Sequence, residues 1–143
     1  MRFLTFAAFL ILLLTSTPGL AAEMTVYKDP SCGCCGNWIK HIEAAGHTVK
    51  IVNTEDMERV KKTFGVPEQV QSCHTALVDG YVIEGHVPAA DVNRLLAERP
   101  KTKGLAVPGM PIGAPGMEMP DMKPDRYDVY QFDAKGGSIY SRH

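Results

Sequence analysis

A strong charge of either sign is missing from this 143-residue chain: 15 basic side chains stand against 16 acidic ones, a formal net charge of −1. Without a basic excess there is little to neutralise a run of phosphates, which excludes nucleic acid as the expected partner. Tandem repeats are also missing, which excludes a solenoid. No apolar run reaches the ~20 residues of a membrane span. Apolar residues make up 45% and charged residues 22%, a balance too hydrophobic for a disordered chain. The length suits one domain rather than two.

The longest apolar run, residues 3–14, follows Arg2 and is broken by Ser16, Thr17, Pro18 and Gly19 before the small residues Ala21 and Ala22. A short positive start, an apolar stretch and a small-residue end are the layout of a secretory signal. The reading is a signal peptide over residues 1–22, export to a bacterial periplasm and no membrane attachment after its removal. Outside the cytosol, thiols are oxidised or metal-bound unless protected. The four cysteines therefore become the main question.

Residues 23–100 read as one α/β domain. Residues 24–28 (MTVYK) form a strand, and residues 29–31 a turn. A helix runs from Cys34 or Cys35 to Ala45, with Trp38, Ile39 and Ile42 as its apolar positions and Gly46 as its stop. Residues 47–52 alternate as a second strand. Met57, Val60 and Phe64 mark one face of a second helix, closed by Gly65 and Pro67. Residues 75–78 and 81–84 flank Asp79-Gly80, a hairpin signal. Pro88 opens a third helix over residues 89–98, with Val92, Leu95 and Leu96 facing inward. The order is β-α-β-α-β-β-α, with a parallel crossover between the first two strands and the hairpin expected at an antiparallel edge. Residues 101–143 read as an extension packed on the same domain. Six of the ten prolines and four of the seven methionines fall within residues 100–124, where no regular element is expected. Residues 127–132 alternate as one more strand. His41 and His47 read as exposed.

Cys32, Cys34 and Cys35 place three sulfurs within four residues at the mouth of the first helix. Backbone N–H groups and the helix dipole stabilise a thiolate there, and the thiolate is both nucleophile and metal ligand. Cys32 and Cys35 have the spacing of a dithiol redox pair. Cys73 lies just before the hairpin, whose entry in this topology falls near the start of that helix, so all four thiols are expected to converge. Three readings stay open at this stage. Two structural disulfides fit an even cysteine count. A zinc site fits four thiolates, although three ligands in four residues poorly span one tetrahedron. A polynuclear cluster with bridging sulfurs fits the crowding best. Thiolates and thioethers select Cu(I), and Met110, Met117 and Met119 sit in a stretch without the period that would bury them. His74 adjoins a candidate ligand, and His86 falls in the turn before the third helix.

Cys32-Gly33-Cys34-Cys35-Gly36, Ser72-Cys73-His74-Thr75-Ala76, Glu84-Gly85-His86-Val87-Pro88, Gly109-Met110-Pro111 and Pro115-Gly116-Met117-Glu118 together resemble the exported CopG family of bacterial copper-resistance systems. The resemblance covers residues 24–119. It implies a thioredoxin-like fold and a multinuclear Cu(I) cluster on Cys32, Cys34, Cys35 and Cys73; on the reading of the residues themselves, Met117 or His86 completes or covers that site. It also implies a redox role, interconverting Cu(I) and Cu(II), in a periplasmic detoxification pathway. A copper chaperone or efflux component is the expected protein partner. The chain departs from ordinary thioredoxins where Cys73-His74 occupies the place of their cis-proline. A docking edge for peptides thereby becomes another ligand. The competing function is an enzyme, a thiol-disulfide oxidoreductase built on Cys32 and Cys35.

Overall fold

The computed structural model describes residues 21–143. Apart from Ala21 and Ala22, the expected leader lies outside the described residues. The elements are β1 (Glu23–Lys28), α1 (Gly33–Ala44), β2 (Thr48–Asn53), α2 (Met57–Phe64), a short 3-10 turn (Glu68–Val70), β3 (Thr75–Val78), β4 (Tyr81–Glu84), α3 (Ala89–Glu98), β5 (Gly104–Ala106), β6 (Asp128–Asp133) and β7 (Gly136–Arg142). The first seven helices and strands come in the expected order, in a mixed α/β fold of the thioredoxin-like kind. No described helix is long and apolar enough to cross a membrane.

One seven-stranded sheet runs β2-β1-β3-β4-β5-β6-β7. β1 and β2 pair in parallel, as the helical crossover between them requires. β1 alternates, burying Met24 and Val26 on one face. Against that face pack Trp38, Ile39 and Ile42 of α1 and Val92, Leu95 and Leu96 of α3, all within one apolar core. The hairpin turns on Asp79 and Gly80, both at positive φ, as a tight two-residue loop demands.

Two expectations are corrected here. The β3–β4 hairpin is central rather than an edge, because β4 also pairs with β5. β5 itself lies inside the Gly/Pro-rich stretch. It fits against β4 because Gly104 has no side chain: a Cβ there would lie 1.7 Å from the Val82 carbonyl oxygen. β6 and β7 then extend the sheet, so the extension continues the same layer. His47 is also corrected. It is buried, with Nδ1 accepting the Ala22 N–H and Nε2 beside the Asn93 side-chain oxygen.

The sheet register positions the site. Tyr27, near the end of β1, stands opposite Thr75, the first residue of β3. The segment leaving β1 and the segment entering β3 therefore meet at one end of the sheet. The first carries Cys32, Cys34 and Cys35, and the second carries Cys73.

Candidate metal centre

After β1, Asp29 folds the chain: its side chain accepts the Ser31 N–H at 2.8 Å, and its carbonyl accepts the Cys32 N–H at 3.0 Å. Cys32 caps α1 without a side-chain hydrogen bond, and no acid occupies the first helical turn. The positive end of the α1 dipole thus lies at the residues that carry the sulfurs. Cys32 and Cys35 are joined in a disulfide. Cys34 and Cys73 are free thiols. The Cys34 sulfur lies 3.5 Å from that of Cys32 and 3.9 Å from that of Cys73. All four sulfurs lie within 4.8 Å of one another. The expected convergence is therefore present.

Behind Cys73 stand two fully buried histidines. His86 Nδ1 lies 2.8 Å from the Pro115 carbonyl, to which it donates. That fixes the tautomer and leaves Nε2 as a lone pair facing the Cys73 sulfur at 3.1 Å. His74 Nδ1 approaches the same sulfur at 3.4 Å. Its ring packs on Trp38, and its Nε2 has no hydrogen-bond partner. Burial pushes the Cys73 thiol up to about 11, and the neighbouring Cys34 adds to the shift. A bare Cys73 therefore keeps its proton, and a soft cation that takes this sulfur must displace it. Burial holds His86 below the ordinary histidine value; it holds His74 well below, with His86 and Lys61 adding to that effect. Burial thus biases both rings toward the neutral form, which keeps a lone pair for a ligand.

The segment before β3 is fixed from beneath. Glu84, fully buried on β4, accepts the Ser72 N–H at 2.7 Å and the Thr75 hydroxyl at 2.6 Å, and it pairs with Lys61 of α2. Burial outweighs the Lys61 charge and raises the Glu84 carboxyl above its ordinary value. Sequence reading missed this network. Lys61 sits beside the half-buried Val60 and Phe64 on α2, and nothing in its spacing separates it from a solvated lysine.

The site is covered by the loop after β5. Gly116 packs on α1 so closely that a Cβ there would lie 2.6 Å from the Trp38 nitrogen and 2.7 Å from the Cys34 carbonyl oxygen. The exposed pair Glu118–His41, at 2.7 Å, ties the loop to α1, and Ser72 donates its hydroxyl to the Gly109 carbonyl. Met117 is half-buried and follows Gly116 directly. The structure thus brings His86 to the sulfurs and places the backbone of Met117 next to the residue that covers Cys34. Among the described residues, a second group able to hold a metal combines Cys73, His74 and His86.

Residues 70–117 match a family described as a protein of unknown function, DUF411. That span contains Cys73, His74, His86 and Met117. No curated protein matches the chain. Two solved structures resemble it over nearly their whole length. Form 2 of copper resistance protein CopG is 45% identical, with a TM-score of 0.81, across 86% of this chain and 98% of that one. Form 1 is 46% identical, with a TM-score of 0.80 and the same coverage. With that identity over that length, the chain belongs to the DUF411 family, that of the copper resistance protein CopG.

Proposed function

We propose that the protein is a periplasmic copper-binding protein of copper resistance that holds Cu(I) on Cys32, Cys34, Cys35 and Cys73. The observation that carries the reading is the position of Cys34, whose free sulfur touches both that of Cys32 and that of Cys73. A sulfur so placed suits a bridge between metal ions, and soft sulfur donors select Cu(I) over hard cations. Copper is cargo here. His86 Nε2 supplies a neutral nitrogen donor at the Cys73 edge. With His86 completing the set, the thioether of Met117 on the covering loop is not required by it.

The disulfide adds a redox step. When two Cu(II) ions meet the reduced site, the Cys32 and Cys35 thiols lose two protons and two electrons and form the S–S bond. Each Cu(II) gains one electron and becomes Cu(I), left on Cys34, Cys73 and His86 while Cys32 and Cys35 are bonded to each other. Returning to the four-thiol state requires a dithiol reductant. In this reading a copper chaperone or efflux component receives the metal.

Anaerobic loading of the reduced chain tests the site. The expected result is more than one Cu(I) per chain in a sulfur-dominated X-ray absorption environment. One zinc per chain, or no Cu(I) retained, overturns it. The Cys32–Cys35 disulfide also favours a second reading, thiol-disulfide exchange on proteins. Insulin reduction that is independent of copper and lost in Cys32→Ser would establish that reading instead.

A further inference from the structure

We propose that Met117, Met119 and Met122 form a second site, a thioether site for one soft monovalent cation of the Cu(I) class, beside the mouth of the four-sulfur centre. It does not rest on the cluster reading, because its donors are different atoms on a different segment.

Apolar side chains left in water need an explanation when they gather in one place. Five large hydrophobic residues are exposed among those described, and two of them, Met119 and Met122, lie only three residues apart. Met119 and Met122 are 47% and 49% exposed, so neither fills a gap in the core, the usual work of methionine. Their spacing brings them together. The Met122 N–H bonds the Met119 carbonyl at 3.1 Å, a turn that sets residues i and i+3 side by side. Met117 lies two residues earlier, where its N–H bonds the Ala114 carbonyl at 2.7 Å and its carbonyl accepts the Gly113 N–H. Ile112 and Asp125 close the loop, bonding through the Ile112 N–H to the Asp125 carboxylate and the Asp125 N–H to the Ile112 carbonyl. The three thioethers thus sit on a constrained backbone rather than a free tail.

The acidic residues interleaved with them do not take over the ligand role. Glu118 is already engaged, accepting the Gly116 N–H at 2.8 Å and pairing with His41. A carboxylate is a hard donor, whereas thioethers discriminate for Cu(I) and Ag(I). Neutral thioethers bind more weakly than thiolates, which suits an acquisition site. Met117 follows Gly116, the residue lying against the Cys34 carbonyl. Ligand exchange from Met122 and Met119 through Met117 therefore leads toward the cysteines.

The test titrates Ag(I) into the full chain labelled with 13C at the methionine methyls. It is run once with the cysteine site filled by Cu(I) and once with all four cysteines changed to serine. The Met117, Met119 and Met122 methyls are expected to shift together and saturate at one equivalent in both, while Met24 and Met57 stay fixed. The double change Met119→Leu with Met122→Leu should abolish the saturable shift at Met117 and leave the cysteine-bound copper unchanged. Unmoved methyls in the copper-filled chain overturn the proposal, even if the four-serine chain fails to fold. So does a saturable Met117 shift that survives the double change. Methyl shifts that appear with a protein partner and not with Ag(I) would make the patch a docking surface instead. A chain that retains no Cu(I) on its cysteines but still shows the shifts would refute the cluster and leave the thioether site standing.

Discussion

The Cys34 and Cys73 sulfurs lie 3.9 Å apart although 39 residues separate them in the chain. Neither joins a disulfide. Two free thiols held in contact by a sheet register, with no bond between them, are a poor staple and a good pair of ligands. Cys73→Ser is therefore expected to lower Cu(I) affinity by more than ~10-fold, since altering even an outer-shell partner of a metal site costs about that much. Fold stability should change by less than about 1 kcal/mol, because Glu84 and Gly109 hold the Ser72 side of the turn independently of the sulfur. Competition against a Cu(I) chelator and urea unfolding measure the two effects. Full retention of affinity would remove Cys73 from the site.

The Lys61–Glu84 pair should behave as a buried ion pair rather than a surface one. Glu84 is fully buried and Lys61 nearly so. Removing one partner strands the other, at a cost of about 3–5 kcal/mol. Lys61→Met is expected to destabilise the chain by about that amount, and Glu84→Gln by less because the amide can still accept from Ser72 or Thr75. A loss below ~1 kcal/mol in urea unfolding would show that the pair is exposed in solution. The same change should weaken Cu(I) binding, since Glu84 anchors the Ser72 N–H next to Cys73.

How far the sequence carried can be judged from individual residues. Asp79-Gly80 fixed the hairpin to the residue, and Pro88 with Val92, Leu95 and Leu96 fixed α3, because turn chemistry and a helical stripe are local signals. The gathering of Cys73 with the triplet followed from topology, a longer step that needed only the strand order. β5 was illegible: Gly104 reads as a breaker in one dimension, and its use as a close-approach residue against Val82 exists only in three. His47 was misread for a related reason. Its partners, Ala22 and Asn93, are 25 and 46 residues away, so no window of sequence contains them. Lys61 failed likewise, its carboxylate being supplied by β4.

The buried histidines predict acid sensitivity of the metal-free chain. His74 is held well below 6.5 by burial, and His86 is lowered for the same reason. Below pH 6.5 the unfolded chain takes up protons that the folded one refuses. Stability is then present above that pH and lost as the pH falls, by up to ~1.4 kcal/mol per pH unit for each histidine. Glu84, raised by burial, acts in the opposite sense: its contribution is present below its ordinary value and lost as the pH rises. The difference between native protein and His74→Leu separates the terms. Urea unfolding at several pH values should show the slope reduced by about one proton in the variant. Identical slopes would mean that His74 titrates normally.

Gly116 offers the sharpest test of the covering loop. Its φ of +88° lies in the left-handed region, and the atoms a Cβ would strike, the Trp38 nitrogen and the Cys34 carbonyl oxygen, are backbone atoms of α1 that cannot swing aside. Gly116→Ala therefore adds conformational strain and a clash at the same place, for a loss of ~1 kcal/mol or more. The relief available is for the loop to lift from α1, which withdraws Met117 and the Pro115 carbonyl that orients His86. The variant should show faster alkylation of Cys34 in the metal-free chain and faster loss of Cu(I) to a chelator, with the sheet intact by circular dichroism. If alkylation and copper release are unchanged while stability falls, the loop contributes packing but does not guard the sulfurs.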